Sequence, residues 1–205
     1  MKKLIIFINN KLRKLLHRRK MAKQVKSTRQ LRREKQTDYV RWNKPDQLFE
    51  DWDERTSILA SMVGSGSIVI EFGAGNMALK SLLPQGCSYT PSDIVKRNPD
   101  FLKCDLNEEI PFDLSIYDTA VLSGVLEYVY DIDSVFKQFP GKMKNVVLSY
   151  SCEDFSNANR LENGWLSDYS KKELEDIFKK NNYQIIEYKE WRNQSLFSLR
   201  NTLMK

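Results

Sequence analysis

The 205-residue sequence carries the pattern of an α/β domain: a doubly wound, mostly parallel seven-stranded sheet with helices on both faces, a C-terminal antiparallel hairpin, and a basic N-terminal helical extension. Three observations lead to it. Short apolar runs alternate with amphipathic segments of helical length from about residue 45 onward. A turn containing two glycines, Gly73-Ala74-Gly75, stands between the first apolar run and the next helical segment. Two alternating segments at the end of the chain face each other across Arg192-Asn193.

In chain order, the first element is the extension, residues 1–41. Leu4, Ile5, Ile8, Leu12, Leu15 and Leu16 recur at three- and four-residue intervals, so they share one side of a helix, with Lys11, Arg13, Lys14 and Arg18 around the rest. The segment holds 15 Lys/Arg and 2 Asp/Glu. That leaves 18 of the 33 basic and 25 of the 27 acidic residues to the domain at 42–205, which is therefore acidic. Such an arm attracts polyanions, and its pattern fits an interfacial helix on an anionic membrane through residues 1–20. Packing on the domain or on a partner, or an arm without structure, also fits. Nucleic acid is the weakest alternative, because aromatic residues are scarce in the arm. A helix or linker is expected to continue to about Lys35.

Pro45 opens an expected helix running to about Val63, with Leu48, Trp52, Leu59 and Met62 or Val63 buried, stopped by Gly64-Ser65-Gly66. Strands are expected at Ser67–Phe72, Ser88–Pro91, Phe101–Cys104, Thr119–Ser123 and Val146–Tyr150. Helices are expected at Asn76–Leu83, ended by Pro84, and at Ile132–Phe139. Ser170 and Glu173 form a capping box for a helix to about Asn181. Gln184–Trp191 and Ser195–Arg200 make the hairpin.

Composition narrows the chemistry. Hydrophobic residues at 41% and charged residues at 29% suit a soluble globular domain. Cys87, Cys104 and Cys152 are odd in number and far apart, which argues for reduced thiols and against a disulfide framework or a metal site. The apolar run Leu4–Ile8 is far shorter than the ~20 residues of a spanning helix and lacks a cleavage site, so the expected location is cytoplasmic, with peripheral attachment to the inner membrane face. The single histidine, His17, lies in the arm, so the domain must move protons without imidazole.

The residues that carry chemistry cluster at the ends of the expected strands. Ile68-Val69-Ile70 leads into Glu71, Gly73, Ala74 and Gly75, where Gly73 permits a tight turn and Gly75 lets backbone approach a ligand. Asp93 follows the second strand, 18 positions after Gly75, where a carboxylate can accept hydrogen bonds from both ribose hydroxyls of an adenosine. Asp105, followed by Leu106, ends the third strand, within reach of an adenine amino group. Taken singly, each acid also reads as a cap or turn residue. Their order after three successive strands favours a ligand.

Together these residues resemble the class I S-adenosylmethionine-dependent methyltransferases, a Rossmann-like family whose first motif reads E/D-x-G-x-G. Glu71, Gly73 and Gly75 match that motif, Asp93 and Asp105 match the ribose- and adenine-side acids, and Leu122-Ser123-Gly124-Val125-Leu126-Glu127-Tyr128 is similar to the segment that passes the methyl donor. The likeness spans roughly residues 46–200. It implies S-adenosyl-L-methionine as cofactor, held by Glu71, Gly73, Ala74, Gly75, Asp93, Asp105, Leu106, Ser123 and Gly124, and no metal. Two positions depart from the family pattern: Met77 stands where a third glycine is frequent, and Tyr128 where histidine often follows the glutamate. A nicotinamide-binding reading of Gly73-x-Gly75-x-x-Ala78 is disfavoured by Glu71, by the lack of room for a second domain, and by the absence of a Tyr-x-x-x-Lys pair.

For the reaction, the resemblance implies methyl transfer to a small-molecule, sugar or glycan, or lipid-linked acceptor, with oxygen favoured. Glu127 is the first candidate base and Tyr128 the second, and Glu127 also reads as a helix-start residue. The loop Ser151–Trp165, with Glu153, Asp154, Arg160 and Glu162, is the expected lid. The chain lacks an Asn/Asp-Pro-Pro-aromatic segment at the fourth strand, which disfavours base methylation in RNA. The alternative is a non-catalytic scaffold or binding protein that retains the fold.

Overall fold

The computed structural model describes residues 2–44, 52–139, 141 and 143–204, with side chains from residue 11 onward. Seven strands form one sheet: β1 (Ile68–Phe72), β2 (Ser88–Asp93), β3 (Leu102–Lys103), β4 (Thr119–Leu122), β5 (Asn145–Tyr150), β6 (Tyr183–Trp191) and β7 (Gln194–Asn201). Their spatial order is β3-β2-β1-β4-β5-β7-β6. Strands β1 to β5 run parallel, and β7 pairs antiparallel with both β5 and β6. The strand order reverses direction between β1 and β4, so their carboxyl ends open a crevice where ligands of such sheets bind.

Alternating side chains divide the core into two layers. Ile70, Phe72, Ala120, Leu122, Val146 and Leu148 meet α4 (Ile132–Lys137) and α5 (Lys171–Lys180) through Ile132, Val135, Phe136, Leu174 and Phe178. On the opposite face, Val69, Val121, Val147 and Leu196 meet Leu59 and Ala60 of α3 (Asp53–Ala60). Helices thus cover both faces, as the pattern requires. The capping box at the start of α5 is formed: the Ser170 backbone N–H donates to Glu173 Oε2 at 2.7 Å, and the Glu173 N–H donates to Ser170 Oγ at 3.3 Å.

Two expected helices differ. The segment after β1 makes only a 3-10 turn at Ala78–Ser81. Met77 ahead of it is left-handed (φ 61°), so no α-helix can propagate out of the glycine turn before Pro84 stops the segment. The expected Pro45–Val63 helix is described only as Asp53–Ala60, and Pro45 and Leu48 lie outside the described residues. Of its expected buried positions, Leu59 and Val63 are buried, while Trp52 and Met62 are partly so.

The basic segment is one helix, α1 (Lys2–Glu34), followed by the single turn α2 (Tyr39–Trp42). Its second half grips the domain mainly with polar side chains. Thr28 is fully buried and its hydroxyl donates to the Leu161 carbonyl at 2.9 Å. Arg32 holds both oxygens of Asp168, at 2.6 and 2.8 Å, and donates to the Trp165 carbonyl at 3.0 Å. Residues 11–20 all stand exposed.

Candidate active site

The crevice at the ends of β1, β2 and β4 is lined by Glu71, Gly73, Ala74, Gly75, Asp93, Asp105, Leu106, Ser123 and Gly124, together with Tyr128. Every residue read from the sequence as touching an adenosine-bearing ligand therefore meets in one place. The glycine turn is held from across the sheet: Asp93 Oδ2 accepts from the Gly75 N–H and Oδ1 from the Val95 N–H, both at 3.0 Å. Gly73 has φ 71°, and a Cβ there would meet Val125 Cγ2 at 2.8 Å, so both conformation and space demand glycine. Gly124 is likewise left-handed (φ 65°), and a Cβ on it would run into the Arg55 guanidinium.

Glu71 is buried and its carboxylate accepts from the Tyr89 hydroxyl at 2.5 Å. Burial pushes its pKa up, the Tyr89 bond pulls it down, Asp93 pushes it up and Arg55 pulls it down, for a net value of about 8. The native protein therefore keeps this proton between pH 4.5 and about 8, where the unfolded chain has released it. The contribution is fully present below the unfolded value and is lost as pH rises through the native one. Over that window wild-type stability should fall by at most about 5 kcal/mol relative to Glu71→Gln. Urea midpoints of the two proteins at the ends of the window test this, and parallel pH dependences would refute it.

Several lining residues escaped the sequence reading. Arg55, only 5% exposed on α3, donates from Nε to Ser123 Oγ (3.2 Å), from Nη2 to the Ser123 carbonyl (3.3 Å) and from Nη1 to Gln194 Oε1 (3.0 Å). Its one sequence signal is an arginine inside the apolar stripe, between Trp52 and Leu59. Residues 36–44 form a strap across the crevice, for which no periodicity could give warning. Tyr39 donates its hydroxyl to Asp105 Oδ2 at 2.8 Å, Thr37 Oγ1 accepts from Asn107 at 3.0 Å, and the Trp42 ring meets the Tyr128 ring edge-on at 4.8 Å. Arg41 lies over both rings and donates to the Asn163 carbonyl at 2.5 Å.

A second pocket adjoins the first and shares Trp52, Arg55, Gly124 and Tyr128 with it. Glu127 and Glu162 line this pocket, as do Asn163 and Trp165, and Glu127 does not line the first crevice. Its Oε1 accepts from the Ser151 N–H at 2.9 Å, while Oε2 is buried without a hydrogen-bond partner. Burial raises the Glu127 pKa against the pull of Arg55, and it raises that of Tyr128 against the pull of Arg41. The expected lid loop divides by role. Glu162 reaches the pocket, whereas Arg160 ties the loop to the Ser151 carbonyl (2.7 Å) and the Tyr150 hydroxyl (2.9 Å), and Asp154 accepts from the first N–H of α5 (3.0 Å). Among the described residues no group of side chains could hold a metal ion.

Comparison with known proteins agrees with this geometry. A family model described as a methyltransferase domain matches residues 43–188. No curated protein matches the chain. Among solved structures, a chain of the Haloferax volcanii complex between the Trm112 methyltransferase activator and a methyltransferase superposes with a TM-score of 0.60 at 16% identity, covering 73% of this chain and 89% of that one. The Burkholderia thailandensis 1,6-didemethyltoxoflavin-N1-methyltransferase, bound to S-adenosylhomocysteine, gives 0.57 at 17% identity, covering 75% and 79%. Human N-acetylserotonin methyltransferase with S-adenosylmethionine gives 0.57 at 15% identity, covering 78% and 55%. With the family model spanning most of its length and the mostly parallel seven-stranded sheet with its antiparallel hairpin in place, the chain belongs to the class I S-adenosylmethionine-dependent methyltransferases.

Proposed function

We propose that this protein transfers a methyl group from S-adenosylmethionine to a hydroxyl of a small-molecule, sugar or glycan, or lipid-linked acceptor. The observation that carries the reading is the pair of adjoining pockets, one lined by the two acids and the glycine turn, the other by a buried carboxylate with an unpartnered oxygen.

The residues of the crevice fit the cofactor by donor chemistry. Each Asp93 oxygen already accepts one backbone N–H and keeps a further lone pair, which suits ribose hydroxyls. Ile94, Leu106 and Val125 offer apolar surface to a purine, with Asp105 at its edge. Arg55 is the only cation among the described residues lining the crevice, and a guanidinium there suits the carboxylate of the methionine portion. When bound, the cofactor supplies an activated methyl group on a sulfonium. The protein's work is then alignment and exclusion of water, for which Trp42, Trp165 and the strap stand over the two pockets.

The preference for oxygen rests on Glu127. A hydroxyl has to lose its proton as it attacks, and a carboxylate whose proton affinity is raised by burial is a better acceptor of that proton than an ordinary one. Tyr128, on the wall between the pockets, positions the acceptor.

Titration calorimetry with S-adenosylmethionine tests the cofactor half, and labelled methyl transfer to sugar, lipid-linked and small-molecule acceptors tests the rest. Folded protein that binds no cofactor would instead be a scaffold. For the base, Glu127→Gln should leave cofactor affinity unchanged while kcat drops by about a hundredfold. An unchanged kcat would reduce Glu127 to a support for the Ser151 loop.

A further inference from the structure

Six residues of α1 are covered by the domain: Met21, Gln24, Val25, Thr28, Leu31 and Arg32. At about 100° per residue they share one side of the helix. Leu12, Leu15 and Leu16 fall on the opposite side, and they are 52%, 47% and 54% exposed. Lys23, Lys26 and Arg33 continue that outward side with Arg29 on its flank; all four are exposed, and Arg33 also pairs with Glu34 at 3.4 Å. The side turned away from the domain is thus apolar in its first part and cationic in its second. From Leu12 to Arg33 it extends about 32 Å along one straight element. The leucines contribute nothing to the packing of the domain, because the helix grips it with the other side.

We propose that this outward face is a docking surface for an anionic phospholipid bilayer, with the three leucines entering between headgroups and the four cations lying over lipid phosphates. Charge complementarity selects this occupant. Residues 11–33 contain eleven Lys/Arg and no Asp/Glu, so a second copy of the helix would meet its own charge. A nucleic acid would use the cations but leave the leucines in water, and the segment has no Phe, Tyr or Trp on which bases could stack. A bilayer with anionic headgroups uses both halves at once. The helix alone is a surface element, since no described helix is long and apolar enough to cross a membrane. Because α1 leads directly into the strap over the crevice, docking would hold the active site beside the lipid surface.

The test uses the full chain in sedimentation with phosphatidylcholine vesicles, with and without phosphatidylglycerol. Binding should require phosphatidylglycerol and weaken as salt rises. The triple variant Leu12→Ser, Leu15→Ser, Leu16→Ser should bind at least about tenfold more weakly. The quadruple variant Lys23→Gln, Lys26→Gln, Arg29→Gln, Arg33→Gln should bind about a hundredfold more weakly. Both alter exposed positions, so unchanged circular dichroism and unchanged S-adenosylmethionine affinity separate lost docking from lost folding. The proposal is overturned by no binding to phosphatidylglycerol vesicles, by full binding by the leucine variant, or by lipid-free self-association that the leucine variant abolishes. The last would assign the face to a second copy of the chain. Displacement from vesicles by a single-stranded polynucleotide that binds parent and leucine variant equally would also overturn it, in favour of nucleic acid.

Discussion

Asp93→Ala is expected to weaken S-adenosylmethionine binding by at least about a hundredfold, because it removes the two charge-assisted hydrogen bonds to the ribose that the proposed function assigns to it, each worth about 1.5–3 kcal/mol. A second loss adds to this. The same carboxylate accepts the Gly75 and Val95 N–H groups, so its removal also releases the glycine turn from the end of β2. Asp93→Asn keeps one acceptor oxygen but turns its amide toward one of those N–H donors, and it should fall between parent and alanine. Asp105→Ala should cost less, since its one proposed ligand contact is an adenine amino group at the edge of the purine, where Asp93 has two ribose hydroxyls. Calorimetry with S-adenosylhomocysteine ranks the variants without turnover. Wild-type affinity in Asp93→Ala would place the ribose elsewhere and dissolve the cofactor reading of the crevice.

Why Asp93 could be picked from sequence, while the strap could not, follows from what periodicity encodes. A buried parallel strand is a short apolar run, and the residue that leaves its carboxyl end is pinned to the sheet's mouth. Glu71, Asp93, Asp105 and Ser123 were therefore legible one after another. The capping box at Ser170 was legible because its two side chains act on backbone within one turn. The helix expected at Asn76–Leu83 misled because its spacing is helical while its entry is not: Gly75 and Met77 both take left-handed backbone, and Pro84 closes the segment before a second turn can form.

The docking of α1 was hidden for a different reason. Its contact side mixes Gln24, Thr28 and Arg32 with Met21, Val25 and Leu31, and it is held by hydrogen bonds to Leu161, Trp165 and Asp168 rather than by an apolar stripe. Hydrophobic periodicity highlights the leucines of the first half instead, and these point the other way. Glu127 was legible as a charged residue after β4, but its assignment to the adjoining pocket depends on the turn at Gly124, which only the three-dimensional arrangement reveals.

Arg55→Met is expected to separate the two halves of the cofactor. S-adenosylhomocysteine should lose about thirtyfold or more in affinity, as a charge-assisted pair to its carboxylate is worth about 2 kcal/mol or more in a partly closed site, whereas 5′-methylthioadenosine, which lacks the amino-acid portion, should change by less than about threefold. The expectation comes from position and environment. Arg55 is buried, flanked by the Trp52 and Trp191 rings at 5.7 and 6.0 Å, and reaches the crevice at Ser123 and Gly124, where the missing Cβ leaves room for its guanidinium. Arg55→Lys keeps the charge but cannot reproduce the fork that spans Ser123 and Gln194, so it should recover only part of the lost affinity. Asp93→Ala supplies the opposite pattern, weakening both ligands together because both carry the ribose. If Arg55→Met also weakened both equally, the arginine would be acting through the backbone at Ser123 that it braces, and the carboxylate of the cofactor would need another partner.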